Sequence, residues 1–309
     1  MKLTRRAFLE AAGSGLAAAG CASGPFRGGG IEIIDTHTHF YDPTRPQGVP
    51  WPEKGRTKLY RRVMPGDYPA RKGVAGTVVV EASPWVEDNQ WVLDLAEKEP
   101  FIVGLVGNLK PGVPEFEGQL RRFAANRLFR GLRVRDRGIG EGVEWAALVA
   151  DLKRMAERDL VLDVNVPFRK LPEVERAARE VSDLRVVINH VALARIDGKA
   201  VDAEWERQVR ALALLPKVHM KVSGLAEATG KTDAAPRDLA FYRPWLDVLW
   251  DAFGEDRLVY GSNWPVCELF APLETVQGLV AEYFTDRGRT ALEKVFSRNS
   301  KAVYRWVAR

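Results

Sequence analysis

Three of the four histidines in this 309-residue chain close short apolar, β-branched runs. His37 and His39 end the first such run, and His190 ends a later one. Residues two apart in a strand share a face, so Asp35, His37 and His39 are predicted to point the same way. Two imidazoles so spaced can hold one divalent cation such as zinc. The alternatives are surface histidines at a strand exit and, for His190, a packed core residue.

From residue 31 onward, eight such runs alternate with longer amphipathic segments. The alternation predicts parallel βαβ units, and eight of them in about 280 residues match a single-domain α/β fold, the (β/α)8 TIM barrel. An open doubly wound sheet is the alternative, but it usually carries a Gly-rich phosphate loop where this chain has His37-Thr38-His39. The predicted strands are Ile31–Thr36, Thr77–Ala82, Ile102–Gly107, Arg130–Arg135, Val161–Asn165, Arg185–His190, Val218–Ser223 and Leu258–Ser262.

The predicted helices fill the intervals between these strands and the C-terminal end. In a barrel, the loops that follow the strands build the active-site face. The ends of the first, sixth and eighth strands would therefore share one rim with the longest loop, which follows the first strand. The helices are predicted at Trp85–Glu99, Pro114–Ala125, Trp145–Arg158, Pro172–Val181, Asp202–Leu215, Phe241–Phe253, Pro272–Phe284 and Thr290–Val307.

The composition excludes several classes of protein. With 46% hydrophobic residues and two cysteines, the chain is neither disordered, nor collagen-like, nor a disulfide scaffold, nor a multi-span membrane protein. A globular chain of this length buries about three quarters of its surface without a metal, so a histidine cluster needs a functional explanation. The formal charge of +5 lacks a basic stripe with interleaved aromatics, so we expect a small-molecule substrate and no nucleic acid partner.

The N-terminal 22 residues resemble a twin-arginine (Tat) signal peptide. Arg5 and Arg6 precede an uncharged, weakly apolar stretch that is too short to span a bilayer. A Gly-rich flexible tether follows over residues 23–30. We therefore expect an exported, periplasmic protein whose barrel covers residues 31–309.

Two ways of processing this signal remain open. Cleavage after Ala22 would release the mature chain, whereas lipoprotein processing at Cys21 would leave a lipid anchor. Neither leaves Cys21 free for a structural disulfide with Cys267, the other cysteine of the chain. The sequence predicts no membrane span in either case.

Five motifs at the predicted strand ends together resemble the amidohydrolase superfamily. The closest likeness is to its amidohydrolase-related branch, which includes L-fuconolactonase and 2-pyrone-4,6-dicarboxylate lactonase, and it covers residues 31–309. The motifs are His37-x-His39, Gly131-x-Arg133, Asn189-His190, Lys221-Val222-Ser223-Gly224 and Gly261-Ser262-Asn263-Trp264-Pro265.

This resemblance implies a barrel hydrolase that opens a small sugar-derived or carboxylated lactone by attack of water. It gives His37, His39 and His190 one of two roles: to bind a divalent metal ion, most commonly zinc, or to orient the substrate carbonyl without a metal. Arg133 would hold a substrate carboxylate, because a guanidinium can bind it with two hydrogen bonds. Arg135 shares the predicted face of Arg133 and would assist.

Asn263 departs from the family pattern. Many relatives carry Asp there, and its carboxylate takes a proton from the attacking water, which an amide cannot do. Glu81 at the end of the second strand is the replacement base that the sequence predicts, and a salt bridge with Lys221 is its alternative role. His190 and Asn263 complete the predicted catalytic group.

Aromatic residues on the predicted rim could form apolar walls for a substrate ring: Tyr41, Trp51 and Trp264. Ordinary loop packing is the alternative for each of them. Two other functions remain open at this point. One is a metal-dependent decarboxylase or other lyase of the same superfamily, and the other is a sugar-acid-binding protein that lost catalysis with the carboxylate of the eighth strand.

Overall fold

In the described part of the chain, eight parallel strands form one sheet whose spatial order follows the sequence, from β1 to β8. The computed structural model describes residues 30–71, 73–135, 138–139, 142 and 144–309. The predicted signal peptide, the possible lipid anchor at Cys21 and the tether up to residue 29 lie outside them. The strands are β1 Ile34–Thr38, β2 Gly76–Val80, β3 Ile102–Gly107, β4 Phe129–Arg135, β5 Val161–Asn165, β6 Arg185–Ile188, β7 Val218–Val222 and β8 Leu258–Tyr260.

The sheet closes on itself between β1 and the segment after β8. The backbone N–H of Asn263 donates to the His37 carbonyl at 2.8 Å, and that of His39 donates to the Trp264 carbonyl at 2.9 Å. The prediction of a (β/α)8 barrel is therefore confirmed. Each of the eight predicted strands overlaps an observed one, and β3 and β5 have the predicted bounds.

Helices surround the sheet and connect its strands. The predicted C-terminal helix is wrong in one respect: it is not continuous, because a π-helical turn over Lys294–Arg298 interrupts it. There Ser297 bonds Glu32, and Asn299 donates to the Leu258 carbonyl at the end of the turn. The α-helices are Asp88–Lys98, Phe116–Ala124, Trp145–Glu157, Leu171–Glu180, Ala203–Ala213, Arg243–Phe253, Leu273–Thr285, Arg289–Glu293 and Asn299–Tyr304.

The described residues form two apolar clusters. The larger lies between sheet and helices, and the smaller lies inside the barrel, where Val78, Val80, Val187 and Val259 meet. Alternate residues of a strand face opposite sides, so β2, β3, β5, β6 and β8 contribute to both clusters. Tyr304, from the last helix, belongs to the inner cluster. In the described part of the chain, no helix is both long and apolar enough to cross a membrane.

Candidate active site

A cavity of about 890 Å³ opens where the carboxyl ends of the strands meet, and we call it the rim cavity. Its polar lining comes from loops and strand ends that are far apart in sequence. Basic, amide and acidic groups therefore face one space, at the position where barrel enzymes carry their active sites. The polar side chains used below are His39, Arg133, Arg135, His190, Glu227 and Asn263.

An irregularity in β1 sets the positions of two histidines: His39 lines the rim cavity, and the fully buried His37 lies beside it. The pairing of β1 with β2 shifts register between Asp35 and Thr38, which has the effect of a β-bulge. The ring centroids of His37 and His39 lie 5.0 Å apart. Asp35 does not share their face, contrary to prediction: it accepts hydrogen bonds from the Tyr68 hydroxyl at 2.8 Å and the Ser262 backbone N–H at 2.9 Å.

His190 is held by a left-handed turn that follows β6. His190, Val191, Ala192 and Leu193 all have φ between 45° and 56°, a region that costs a non-glycine residue about 1–3 kcal/mol. The indole of Trp205 offsets part of this strain by donating to the Val191 carbonyl at 2.9 Å. The turn places the imidazole of His190 4.4 Å from that of His37, measured between ring centroids.

Glycines leave room for these imidazoles. A Cβ on Gly224 would lie 2.8 Å from Cβ of His190, and one on Gly261 would lie 2.7 Å from Cβ of His37. Both contacts are closer than real Cβ atoms tolerate. The glycines of the predicted motifs thus serve the packing of the histidines.

All three imidazoles are buried and neutral. Burial is the main cause that lowers the pKa of His37 and of His190 well below the usual value, and the charges of Lys221 and Arg133 act in the same direction. Burial also lowers the pKa of His39, to about 3. A neutral imidazole has one N–H donor and one acceptor nitrogen, so the partner of each ring decides its chemistry.

The hydrogen-bond partners of the three rings indicate the role of each Nε2: a donor in His37 and His190, and an acceptor in His39. Nδ1 of His37 lies 3.3 Å from the Lys221 ammonium, which can only donate, so Nε2 of His37 carries the proton. Ser223 accepts from the His190 backbone N–H and lies 2.9 Å from its Nδ1, so its hydroxyl can donate there and leave Nε2–H. Nδ1 of His39 donates to the Val80 carbonyl at 2.6 Å, which leaves Nε2 as an acceptor.

Lys221 is the buried cation behind His37. Its ammonium donates to Asp163 at 2.7 Å and to the Thr36 carbonyl at 3.0 Å, besides the contact with His37. Asp163 also accepts from the hydroxyl of Tyr304 at 2.9 Å. The predicted alternative of a salt bridge between Glu81 and Lys221 is therefore wrong, because Lys221 forms its salt bridge with Asp163 of β5.

These residues do not fit a resident divalent metal ion. A histidine that ligates a metal normally donates its other N–H to a carboxylate or carbonyl, whereas the other nitrogen of His37 faces an ammonium. With His190 in its Nε2–H tautomer, Nε2 of His39 and Oδ1 of Asn263, 3.1 Å apart, are the neutral ligand atoms that remain, fewer than the three protein ligands usual for catalytic zinc. No group of three or more His, Cys, Asp or Glu residues within the described chain could hold a metal.

Arg133 and Arg135 enter the rim cavity from β4. They donate to the backbone carbonyls of Glu81 and Ala82 at 2.7 and 2.6 Å, so their guanidinium groups are held by β2. Burial lowers the pKa of Arg133 to about 9, which still leaves it charged at neutral pH. Its buried Nε–H has no hydrogen-bond partner in the described structure and is free for a ligand.

Glu81 does not line the rim cavity, contrary to its predicted role as base. Its carboxylate accepts from the Ser83 backbone N–H at 2.6 Å and borders a separate, very small space behind Trp51. Burial raises the pKa of Glu81 to about 7. The position at the end of β2 is as predicted, but the side chain turns into the loop that follows.

Glu227 is a residue of the rim cavity that sequence reasoning missed. It begins the 3-10 turn Glu227–Thr229 after β7 and lines the rim cavity. Its Oε1 accepts from Nδ2 of Asn263 at 2.8 Å. No spacing signal marks this loop residue, although it lies three residues after Gly224, the last residue of the motif at the end of the seventh strand.

The three predicted aromatic walls have different positions. Trp51 lines the rim cavity and packs edge-on against His39 at 5.3 Å between centroids. Tyr41 is buried beneath it and donates to the Leu59 carbonyl. Trp264 has no exposed surface, and its indole bonds Glu268. The prediction of substrate contacts for Tyr41 and Trp264 is therefore wrong. Both side chains pack the loops near the point where β1 and the segment after β8 meet.

Comparisons with known proteins agree with this geometry. The amidohydrolase family model matches residues 34–306. An L-fucono-1,5-lactonase from Burkholderia ambifaria is 33% identical over 282 residues, which cover 88% of this chain and 95% of the relative. An L-fucono-1,5-lactonase from Burkholderia multivorans is 30% identical and covers 82% of this chain and 89% of that protein.

A solved structure shares the fold over nearly its whole length. It is an amidohydrolase from Burkholderia multivorans with bound zinc, 27% identical, with a TM-score of 0.78. The match covers 89% of this chain and 99% of that one. The bound zinc belongs to that relative, and the residues described above differ from the donor set that zinc usually requires.

Proposed function

This chain belongs to the amidohydrolase family of hydrolases, and we propose that it opens a small sugar-derived or carboxylated lactone by attack of water. The observation that carries the proposal is the convergence of two imidazole N–H donors and a partly unpaired guanidinium at the barrel rim. Buried donors of this kind stabilise the negative charge that develops on a carbonyl oxygen.

The donors suit the first step of lactone hydrolysis. As water attacks the carbonyl carbon, the electron pair of the C=O bond moves to oxygen. Nε2–H of His37 and of His190 can donate to that oxygen, and neither ring must lose a proton to do so. Lys221 holds the ring of His37 in the tautomer that donates, and the hydroxyl of Ser223 can do the same for His190.

The guanidinium groups suit the remainder of the substrate. Arg133 and Arg135 offer donors to a carboxylate or to the hydroxyls of a sugar ring, and Arg56 and Arg195 add positive charge at the mouth of the cavity. Trp51 offers an apolar face for the ring carbons. The tetrahedral intermediate then collapses, the ring C–O bond breaks, and the leaving alkoxide takes a proton to give the hydroxy acid.

A lactone panel tests this proposal. L-fucono-1,5-lactone, L-rhamnono-γ-lactone and 2-pyrone-4,6-dicarboxylate are incubated with the purified protein, and ring opening is followed by proton release. We expect a sugar lactone to be opened at a rate well above its spontaneous hydrolysis. Absence of acceleration for every lactone would refute the proposal.

The same preparation tests the metal. Because the imidazole partners do not fit a divalent ion, we expect full activity after chelation, with no stoichiometric metal by elemental analysis. Loss of activity on chelation, restored by zinc, would refute the metal-free mechanism while leaving the lactonase function intact.

The other two functions are not favoured. The curated relatives that cover most of this chain carry lactonase names, and a carboxylate still lines the cavity although Asn occupies position 263. Release of carbon dioxide in the same panel, or tight binding of a sugar acid without turnover, would favour the lyase or the binding protein.

We also propose export to the periplasm by the twin-arginine route, on the strength of Arg5 and Arg6 and the uncharged stretch that follows them. The variant R5K/R6K should retain the protein in the cytoplasmic fraction, whereas the wild type should reach the periplasm or its membrane surface. Equal distribution of the two proteins would refute this proposal. Labelling with a radioactive fatty acid distinguishes cleavage from lipidation at Cys21.

A further inference from the structure

The proposed lactonase lacks an evident base, since the amide of Asn263 cannot take a proton from water. Its own contacts point to a replacement. Oδ1 of Asn263 lies 3.1 Å from Nε2 of His39, and its Nδ2–H donates to Oε1 of Glu227 at 2.8 Å. The amide of Asn263 therefore lies between the ring of His39 and a carboxylate of the loop after β7, to which it donates.

We propose that Glu227 is the general base of this enzyme, in place of the carboxylate that many relatives carry at the end of β8. The inference rests on the proposed lactonase function and names the group that activates water. Among the described residues, Glu227 is the only carboxylate that lines the rim cavity. Its Oε2 is buried and has no protein partner, so one oxygen is anchored by Asn263 and the other is free for a water molecule.

The surroundings of Glu227 suit a base that works near neutral pH. No Lys, Arg or His of the described chain forms an ion pair with it, and burial raises the pKa of its carboxyl to about 7. Tyr242 and Cys267 face it from the neighbouring segments, and burial raises the pKa of both, so they stay neutral. A base is most effective when its pKa lies close to the working pH.

The proton transfers balance over one turnover. The carboxylate of Glu227 takes a proton from water as the water oxygen bonds to the lactone carbonyl carbon. The C=O electron pair moves to oxygen, returns as the ring C–O bond breaks, and leaves an alkoxide. The carboxyl of Glu227 gives its proton to that alkoxide, which regenerates the carboxylate and yields the hydroxy acid.

Substitution of Glu227 tests the role with L-fucono-1,5-lactone as the probe. E227Q keeps the size and one polar partner of Asn263 but cannot accept a proton. We expect kcat to fall roughly 10²–10⁴-fold with KM within about threefold of the wild type, because general-base catalysis contributes a factor of that size. The wild-type profile of kcat/KM should rise with pH to a plateau above about 7, and E227Q should lose that dependence.

The controls separate a base from a structural residue. E268Q makes the same change on the adjacent turn, outside the cavity lining, and should keep the wild-type kcat and pH profile. The double variant E227Q/N263D exchanges amide and carboxylate across one hydrogen bond, and we expect at least tenfold recovery of kcat over E227Q. Calorimetric binding of L-fuconate should be unchanged in E227Q, which shows that the site still folds.

Three results would overturn the proposal while the wild type opens the lactone: E227Q keeps most of kcat, E227Q keeps the pH dependence, or E81Q alone removes it. Absence of recovery in the double variant, with L-fuconate still bound, would also count against a role for the carboxylate as base. A wild-type protein that opens no lactone refutes the proposed function instead, so the two failures can be distinguished.

Discussion

The middle and the rim of the barrel interior differ in how completely their charged groups are paired. In the middle, Lys221 has three acceptors, and Asp163 accepts from Lys221, Asn189 and Tyr304. At the rim, Nε2 of His37, Nε of Arg133 and Oε2 of Glu227 are buried without a partner in the described structure.

An unpaired buried polar group costs free energy, so a cluster of them is unusual in a region that serves stability alone. The middle layer rigidly positions the histidines, and the rim leaves open the donors and acceptors that a substrate can pair. Residues in the middle of the barrel thus stabilise the fold, and residues at its rim are available to bind the substrate. The predictions below test this division, from the largest expected effect to the smallest.

Removal of the buried cation should cost the most stability. Lys221→Met leaves the buried carboxylate of Asp163 without its cation, and breaking a buried ion pair in this way typically costs ~3–5 kcal/mol. Urea unfolding measures the loss. Lys217→Met, at the exposed pair with Asp183, is the matched control and should leave the free energy of unfolding nearly unchanged. Equal effects of the two changes would contradict the division between middle and rim.

Substitution at the rim should affect substrate affinity more than folding. Arg133→Lys keeps the charge but loses the forked donor geometry, and hydrogen bonds to charged groups contribute roughly 1.5–3 kcal/mol, so KM should rise about 10–100-fold. Arg130→Lys, at the opposite end of β4, should leave KM unchanged. Steady-state kinetics with the preferred lactone gives the answer, and an unaltered KM for Arg133→Lys would remove this residue from the site.

Glu81 links burial to pH-dependent stability. Burial raises its folded-state pKa to about 7, above the unfolded value, so its contribution to stability is complete below about pH 4.5 and is lost as pH rises through 7. Glu81→Gln cannot ionise. As the pH rises from 5 to 8, we expect the free energy of unfolding of Glu81→Gln to increase by ~1–3 kcal/mol relative to that of the wild type. Parallel stability curves across this range would contradict the raised pKa.

The smallest effect is expected at the mouth of the cavity. The Arg195 side chain is 85% exposed and only loosely paired with Asp197 at 3.7 Å. Arg195→Ala should change KM less than about threefold at 0.15 M salt, because exposed charges are screened there. The difference should widen at low ionic strength if the substrate is an anion. A large change that does not depend on salt would indicate a direct contact instead.

Much of the fold and part of the site could be predicted from sequence. The alternation of strands and helices identified the barrel, and the strand-end motifs identified His39, His190 and Arg133 as rim residues. His37, which the same motifs singled out, lies fully buried beside them. The errors came where geometry is not periodic: the bulge in β1 turned Asp35 away, and the loop after β2 turned Glu81 away.

What the sequence determined by itself is therefore local: period-two apolar runs specify strands, and residue types at their ends specify a polar rim. Only the tertiary structure decided which groups meet across the barrel. Closure of the sheet paired Lys221 with Asp163, and a left-handed turn placed the ring of His190 next to that of His37. The loop after β7 brought Glu227 to Asn263. These side-chain contacts depend on strand register and loop conformation, and neither of these produces a periodic pattern in the sequence.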